Sequence, residues 1–208
     1  MTRRVMLAMT GSGDAVEFAL ADDGGCAWCE RVVTPHATEE LAGLAQRALA
    51  AAAEQNLEIT AVGVDVGPGS FSGTRVVLAQ ARAFAWARQL PLHGYDAMVL
   101  LYHALPQPVP RAVTVLDARR GELFAALWRD GVPDCGGKLW PERQLVRALS
   151  GETWLAAGSG TALLVAAGAA VQAAAEQQPR AATIARLHCA GLPGAAGLAA
   201  RYVRGAVS

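Results

Sequence analysis

Val113-Thr114-Val115-Leu116, a turn, Glu122 to Leu127 and then Asp130-Gly131 repeat a plan used at the start of the chain: Met6-Leu7-Ala8-Met9, a turn, Ala15 to Leu20, and Asp23-Gly24. A shift of 107 positions aligns nineteen residues without a gap, with identities at Ala19/Ala126, Leu20/Leu127, Asp23/Asp130 and Gly24/Gly131. Apolar runs of strand length that end at Asp-Gly, a dipeptide tolerant of the positive φ of a tight hairpin, predict a β-meander at the head of each half. In the first half a helix follows over about 37–55, with Leu41, Leu44, Ala45, Ala48, Leu49 and Ala52 at helical spacing. A strand over Ile59 to Val66, a glycine-rich turn and a helix from about Gly73 to Gln89 come next. The second half is briefer: a strand at Trp154 to Ala157, a turn at Gly158-Ser159-Gly160, and a helix from Thr161. Strands followed by crossover helices predict an α/β fold of two lobes, each with a mixed sheet. Leu105-Pro106-Gln107-Pro108-Val109-Pro110 forbids a helix or a central strand and reads as the link, giving lobes over 1–105 and 112–208 joined by 106–111.

At 208 residues, 53% hydrophobic and 17% charged, the chain belongs among compact proteins rather than disordered ones. Eighteen basic and eighteen acidic residues leave no global positive field, which argues against tight binding to nucleic acid by this chain alone. Val5 to Met9 is too short for the apolar part of a secretory signal, so a cytoplasmic protein is expected. Leu155 to Ala175 carries no charge, but its Ala and Gly content favours a strand, a turn and a helix over a membrane span. Cys26, Cys29, Cys135 and Cys189 are then expected to be reduced. Cys26-Ala27-Trp28-Cys29 has the spacing of a redox or zinc half-site, yet no second ligand pair accompanies it and it follows an Asp-Gly-Gly turn, so an ordinary strand is the preferred reading. His36, His93, His103 and His188 are scattered, with no His-x-x-x-His pair for a metal, and His36 is placed to cap the first helix.

The most distinctive stretch is Gly67-Pro68-Gly69-Ser70-Phe71-Ser72-Gly73-Thr74-Arg75, between a buried strand and a helix. Backbone N–H groups at such a junction favour an anion. A Walker loop would continue from its second glycine into Lys-Ser or Lys-Thr, whereas Gly73 is followed by Thr74-Arg75 and the only lysine is Lys138. A dinucleotide fingerprint would need glycine where Ser72 stands. The pattern therefore favours a structural turn, and Ser70 and Ser72 lack an identifiable base.

These nine residues resemble the Gly-Pro-Gly-Ser-Phe-Thr-Gly-x-Arg signature of the TsaB family, bacterial proteins of threonylcarbamoyladenosine synthesis in tRNA. The resemblance extends to the apolar first strand, His36, Leu116-Asp117-Ala118-Arg119 with Gly121-Glu122, and Tyr202-Val203-Arg204; it weakens from about residue 132 to 200. It implies a degenerate member of the duplicated actin and sugar-kinase fold that is not itself an enzyme. Such a protein pairs with the TsaD-like catalytic paralogue, which transfers threonylcarbamoyl from its adenylate to an adenosine beside the anticodon. A TsaE-like ATPase joins the complex. ATP and metal are expected on those partners and no cofactor on this chain alone; tRNA is met only through the complex, and the chain can self-associate in isolation. Where the first strand of the family ends in Asp-Thr or Asp-Ser, this chain has Thr10-Gly11, removing the hard oxygen ligand an ATP-using relative turns toward metal and phosphate.

The helix Val76 to Ala87 is apolar around most of its circumference, which one buried face does not require. The resemblance implies that this helix and the one at 37–55 dock the partner, and Leu41, Leu44, Ala48, Leu78, Ala79 and Arg82 are the expected contacts. For each of them the competing reading is a place in the chain's own core. The alternatives for the whole chain are a metal-dependent peptidase or a small-molecule kinase of the same fold.

Overall fold

The protein's computed structural model describes residues 2–33, 36–176, 178–192, 194, 198 and 199. The first half opens with an antiparallel meander of β1 (Arg3–Thr10), β2 (Val16–Asp22) and β3 (Gly25–Val32). A 3-10 turn at Ala37–Glu40 runs into α1 (Leu41–Glu54), followed by β4 (Leu57–Asp65), α2 (Phe71–Arg88) and β5 (Leu92–Tyr95). Crossover helices return the chain parallel, so the strand order is β3-β2-β1-β4-β5. After α3 (Ala97–Ala104) come β6 (Arg111–Asp117), β7 (Glu122–Arg129), β8 (Val132–Pro141), α4 (Glu142–Ala148), β9 (Trp154–Ala157), α5 (Thr161–Ala166) and β10 (Val171–Ala173). The second sheet runs β8-β7-β6-β9-β10, the same plan strand for strand. The chain then enters α6 (Ala181–Cys189).

The duplication is real, but the ungapped comparison slips by one residue in its first strand. Leu7 pairs with Leu20 and turns toward α1 and α2; the matching pair in the second sheet is Val113 with Leu127, turned toward α4 and α5. The offset is therefore 107 for the second strand but 106 for the first, because the path from Val113 round to Leu127 is one residue longer than that from Leu7 to Leu20. Aligning Met6 with Val113 would exchange the two faces of the strand, since side chains alternate. The Asp-Gly turns also differ. Asp130 and Gly131 both take positive φ, 48° and 86°, whereas in the first hairpin the left-handed residue is Gly25, at 117°. There the Asp22 carboxylate accepts the Gly24 N–H at 2.9 Å, and that side-chain turn sets the bend.

Each sheet is covered on both faces. On the first, α1 and α2 pack over Val5, Leu7, Met9, Phe18, Leu20, Val62 and Val64, while α6 lies on the opposite face across β1, β2 and β4. On the second, α4 and α5 cover Val113, Val115 and Leu127, and α3 brings Met98, Leu101 and Tyr102 against Leu116, Phe124 and Trp128. The compact units consequently differ from the expected 1–105 and 112–208. One is the chain as far as Ala97 with the described residues from Pro179 on; the other runs from Met98 to Gln178. The proline-rich link lies within the second unit, between α3 and β6, because the apolar face of α3 is buried on the second sheet and that of α6 on the first. Among the described residues no helix is long and apolar enough to cross a membrane, and the uncharged stretch from Leu155 is divided among β9, the six-residue α5 and β10.

Candidate functional site

The glycine loop begins where β4 ends. Asp65, fully buried at that end, accepts the Gly67 N–H at 2.8 Å and the Ser12 N–H at 3.1 Å, which ties the β1–β2 turn to the loop. Burial raises the pKa of Asp65, and hydrogen bonds from Ser12, Gly67 and Gly11 oppose that rise. Ser70 N–H donates to the Ser12 carbonyl at 2.7 Å. Gly69 and Gly73 lie so close to Ser12 and Gly11 that a methyl group on either would overlap their backbone carbonyls. Ser70 caps α2, its hydroxyl accepting the Gly73 N–H at 3.2 Å, so the helix starts at Phe71, two residues before the expected Gly73. Three N–H donors that could have cradled an anion, those of Gly67, Ser70 and Gly73, are thus engaged inside the chain. The loop acts as a clasp that holds the first turn of α2 against the β1–β2 turn.

The clasp fixes which side of α2 meets solvent. Gly73, Thr74, Val77, Leu78, Ala81, Phe84 and Ala85 are buried. The opposite side carries Val76, Ala79, Ala83 and Trp86, at successive spacings of three, four and three, with Val76 40% and Trp86 84% exposed. Helices that pack side by side repeat their contacts at that spacing, and the small residues at its centre would let another backbone approach closely. Phe71, 52% exposed, lies under the Arg75 guanidinium, 4.0 Å from its ring centroid. Four of the six expected docking residues are corrected: Leu41, Leu44, Ala48 and Leu78 are buried in the core of their own unit, because they point down onto β1, β2 and β4. Ala79 and Arg82 face solvent, with Arg82 donating to the Leu198 carbonyl at 2.6 Å. Val76 and Trp86, not among the six, share the exposed side with Ala79, and the 3-4-3 spacing that links them is readable in the sequence once the buried side of the helix is known.

Other positions singled out in the sequence fall elsewhere. His36 makes no capping hydrogen bond through its side chain; its Nδ1 lies 2.9 Å from Glu39 Oε1. Leu116-Asp117 ends β6 and Ala118-Arg119 opens the β6–β7 turn, where Asp117 accepts the Arg119 N–H at 2.7 Å and Arg119 and Arg120 both take positive φ, 66° and 57°. Two successive non-glycine residues in that region are strained. His93 and His188, far apart in sequence, meet with ring centroids 4.5 Å apart, and Tyr95 Oη is 3.4 Å from His188 Nδ1. Burial, and then the neighbouring His93, lower the pKa of His188. Among the described residues no three His, Cys, Asp or Glu side chains converge as a metal site would require. Tyr202, Val203 and Arg204 lie outside the described residues.

In class this is a duplicated α/β protein of the actin and sugar-kinase type, with the turn after its first strand closed over by its own glycine loop. The family model for TsaD, tRNA N6-adenosine threonylcarbamoyltransferase, matches residues 30–138, just over half of the chain, and the chain belongs to that family. It is a TsaB/YeaZ-like protein. It is 26% identical over 165 residues to the tRNA threonylcarbamoyladenosine biosynthesis protein TsaB of Escherichia coli, covering 74% of this chain and 71% of that protein. An uncharacterized protein of Mycobacterium leprae is 32% identical over 137 residues, 64% of this chain but only 37% of that relative's length. The crystal structure of an uncharacterized Pseudomonas aeruginosa protein with similarity to peptidase YeaZ superposes with a TM-score of 0.72 over 90% of each chain, at 19% identity, which shows the shared fold.

Proposed function

We propose that this chain is a non-catalytic subunit that docks a TsaD-like threonylcarbamoyl transferase through the solvent side of α2 and so supports formation of threonylcarbamoyladenosine in tRNA. The observation that carries the reading is the seam of Val76, Ala79, Ala83 and Trp86, which keeps a large aromatic ring in solvent at 84% exposure on a helix otherwise well anchored. Tryptophan is the residue type most enriched among interface anchors, where truncation costs about 2 kcal/mol or more. The name of the E. coli relative, a threonylcarbamoyladenosine biosynthesis protein, and membership of the TsaD family support a place in that tRNA modification. A non-catalytic role is supported by Thr10-Gly11 at the end of β1, which offers no carboxylate, and by the glycine-loop donors being taken up within the chain. On this reading ATP and metal belong to the TsaD-like subunit and a TsaE-like ATPase, tRNA is met through the complex, and a second copy of this chain competes for the same seam when the partner is missing.

Reconstitution tests it. The chain mixed with the TsaD-like protein of its own organism is expected to give a one-to-one complex by light scattering. Modified adenosine in tRNA should form with the chain present and fall to background without it. Equal rates with and without the chain, or modification in the absence of the TsaD-like subunit, would overturn the assignment.

A further inference from the structure

Cys26 and Cys29 lie on β3, the edge strand of the first sheet, and the docking function uses neither. Strand pairing brings them together. Cys26 sits opposite Ala21, Trp28 opposite Leu20 and Cys29 opposite Ala19, leaving Ala27 as the extra residue of a bulge. Because Ala19 and Ala21 are two apart on β2, the cysteines opposite them share one face of the sheet. Two strand rises separate their backbones by roughly 6.6 Å, within the Cα range that a disulfide spans. Both residues are exposed and free. Cys26 as a thiol donates to the Trp28 carbonyl at 3.1 Å. As a thiolate it accepts from the Cys29 thiol and from the Trp28 backbone, which brings its pKa down to about 7. The same bond pushes the Cys29 thiol upward, so Cys29 stays protonated. No third His, Cys, Asp or Glu among the described residues completes a metal site with them, which favours redox chemistry over zinc.

We propose that Cys26 and Cys29 form a reversible dithiol–disulfide pair, with Cys26 as the attacking thiolate and Cys29 as the resolving thiol. The oxidant is a small-molecule disulfide. Cys26 Sγ attacks one of its sulfurs, forming a mixed disulfide and expelling one thiolate. Cys29, giving up its proton, then attacks Cys26 Sγ and expels the second thiolate. The two cysteines are oxidised by two electrons, the incoming disulfide is reduced to two thiols, and the protein loses two hydrogens. At pH 7 a thiol of pKa about 7 is about half ionised, against about 1% for one of pKa 9; after allowing for the weaker nucleophile, a rate advantage of about sixfold remains.

The test treats the full chain with glutathione disulfide at pH 7 and follows intact mass and peptide-mapped alkylation of each cysteine. Cys189, whose pKa is raised by burial, serves as the slow internal reference. The expected result is loss of two hydrogens confined to Cys26 and Cys29, at least about sixfold faster than reaction at Cys189, and reversed by dithiothreitol. Cys29→Ser should stop at a glutathione adduct on Cys26, and Cys26→Ser should abolish the fast phase. A persistent adduct on Cys26 in the unsubstituted chain, or first reaction at Cys29 or Cys189, would overturn the proposal. The mapping of the unsubstituted chain decides the matter even if a variant folds poorly.

Discussion

Glu17 is the position where a single substitution should loosen the most structure. It lies on β2 at 1% exposure and faces α6, where Arg180, the residue before the helix, provides no side-chain cap of its own. Glu17 Oε1 accepts the Ala181 N–H at 2.8 Å, from 164 residues away, while Oε2 stands 3.1 Å from Arg180 Nε and 4.0 Å from Arg31 Nη1. A carboxylate on a buried helix N-terminus combines a charge-assisted hydrogen bond, about 1.5–3 kcal/mol, with a favourable dipole interaction of about 0.5–1 kcal/mol. The two arginines are partly exposed, so their pairing adds less than about 1 kcal/mol. Glu17→Ala should therefore cost about 3 kcal/mol. Glu17→Gln, which keeps an acceptor and the volume but removes the charge, should cost about 1–2 kcal/mol. Urea unfolding gives both values, and amide exchange along α6 shows where the loss falls: protection from Thr183 to Leu187 should drop while that of β6 and β7 holds. A cost below about 0.5 kcal/mol for Glu17→Ala, or equal costs for Ala and Gln, would refute the capping argument.

Gly73→Ala places a methyl group against the Gly11 carbonyl, and since that neighbour is backbone the loop must move; a loss of about 1–3 kcal/mol in urea unfolding is expected, and a neutral result would remove the clasp from the account. Because the folded-state pKa of His188 is depressed, its contribution to stability is complete above about pH 6.5 and is lost as pH falls from there through the folded value. The melting temperature should fall between pH 7.5 and 5.5 in the unsubstituted chain and fall less in His188→Gln; parallel curves would contradict this. Arg120→Gly relieves a left-handed arginine but frees the unfolded chain, so a net gain of about 0.5 kcal/mol is expected in thermal or urea unfolding, and a loss would mean the side chain holds the turn.

Local signals carried the architecture well. Trp154–Ala157 forms the strand its apolar run predicts, and the helices at α1 and α2 follow their 3.6-residue stripes. What the sequence could not show was which face of each stripe has a partner. Leu44 and Ala48 read equally well as core or as docking surface, and only the strands beneath them decide for core. The exchange of α3 and α6 between sheets was hidden for a related reason: a proline-rich segment stops secondary structure, which is a local fact, whereas unit boundaries depend on where an apolar face finds cover. Glu17 carries no local signal of its role, because its partner lies 164 residues downstream. The glycine loop was legible as a structural turn from its missing lysine, but the reason for its glycines, the nearness of Gly11 and Ser12, needed three dimensions.

Placing an indole at the middle of the α2 seam separates docking from folding. Ala83 is solvent-facing within its own unit, so Ala83→Trp should leave the melting temperature within about 2 °C of the unsubstituted chain. Its Kd for the TsaD-like subunit, measured by isothermal titration, should weaken by 100-fold or more, because a tightly packed helix seam has no room for a ring at an alanine position. An unchanged Kd in a normally folded variant would show that this face of the helix is not where the partner binds.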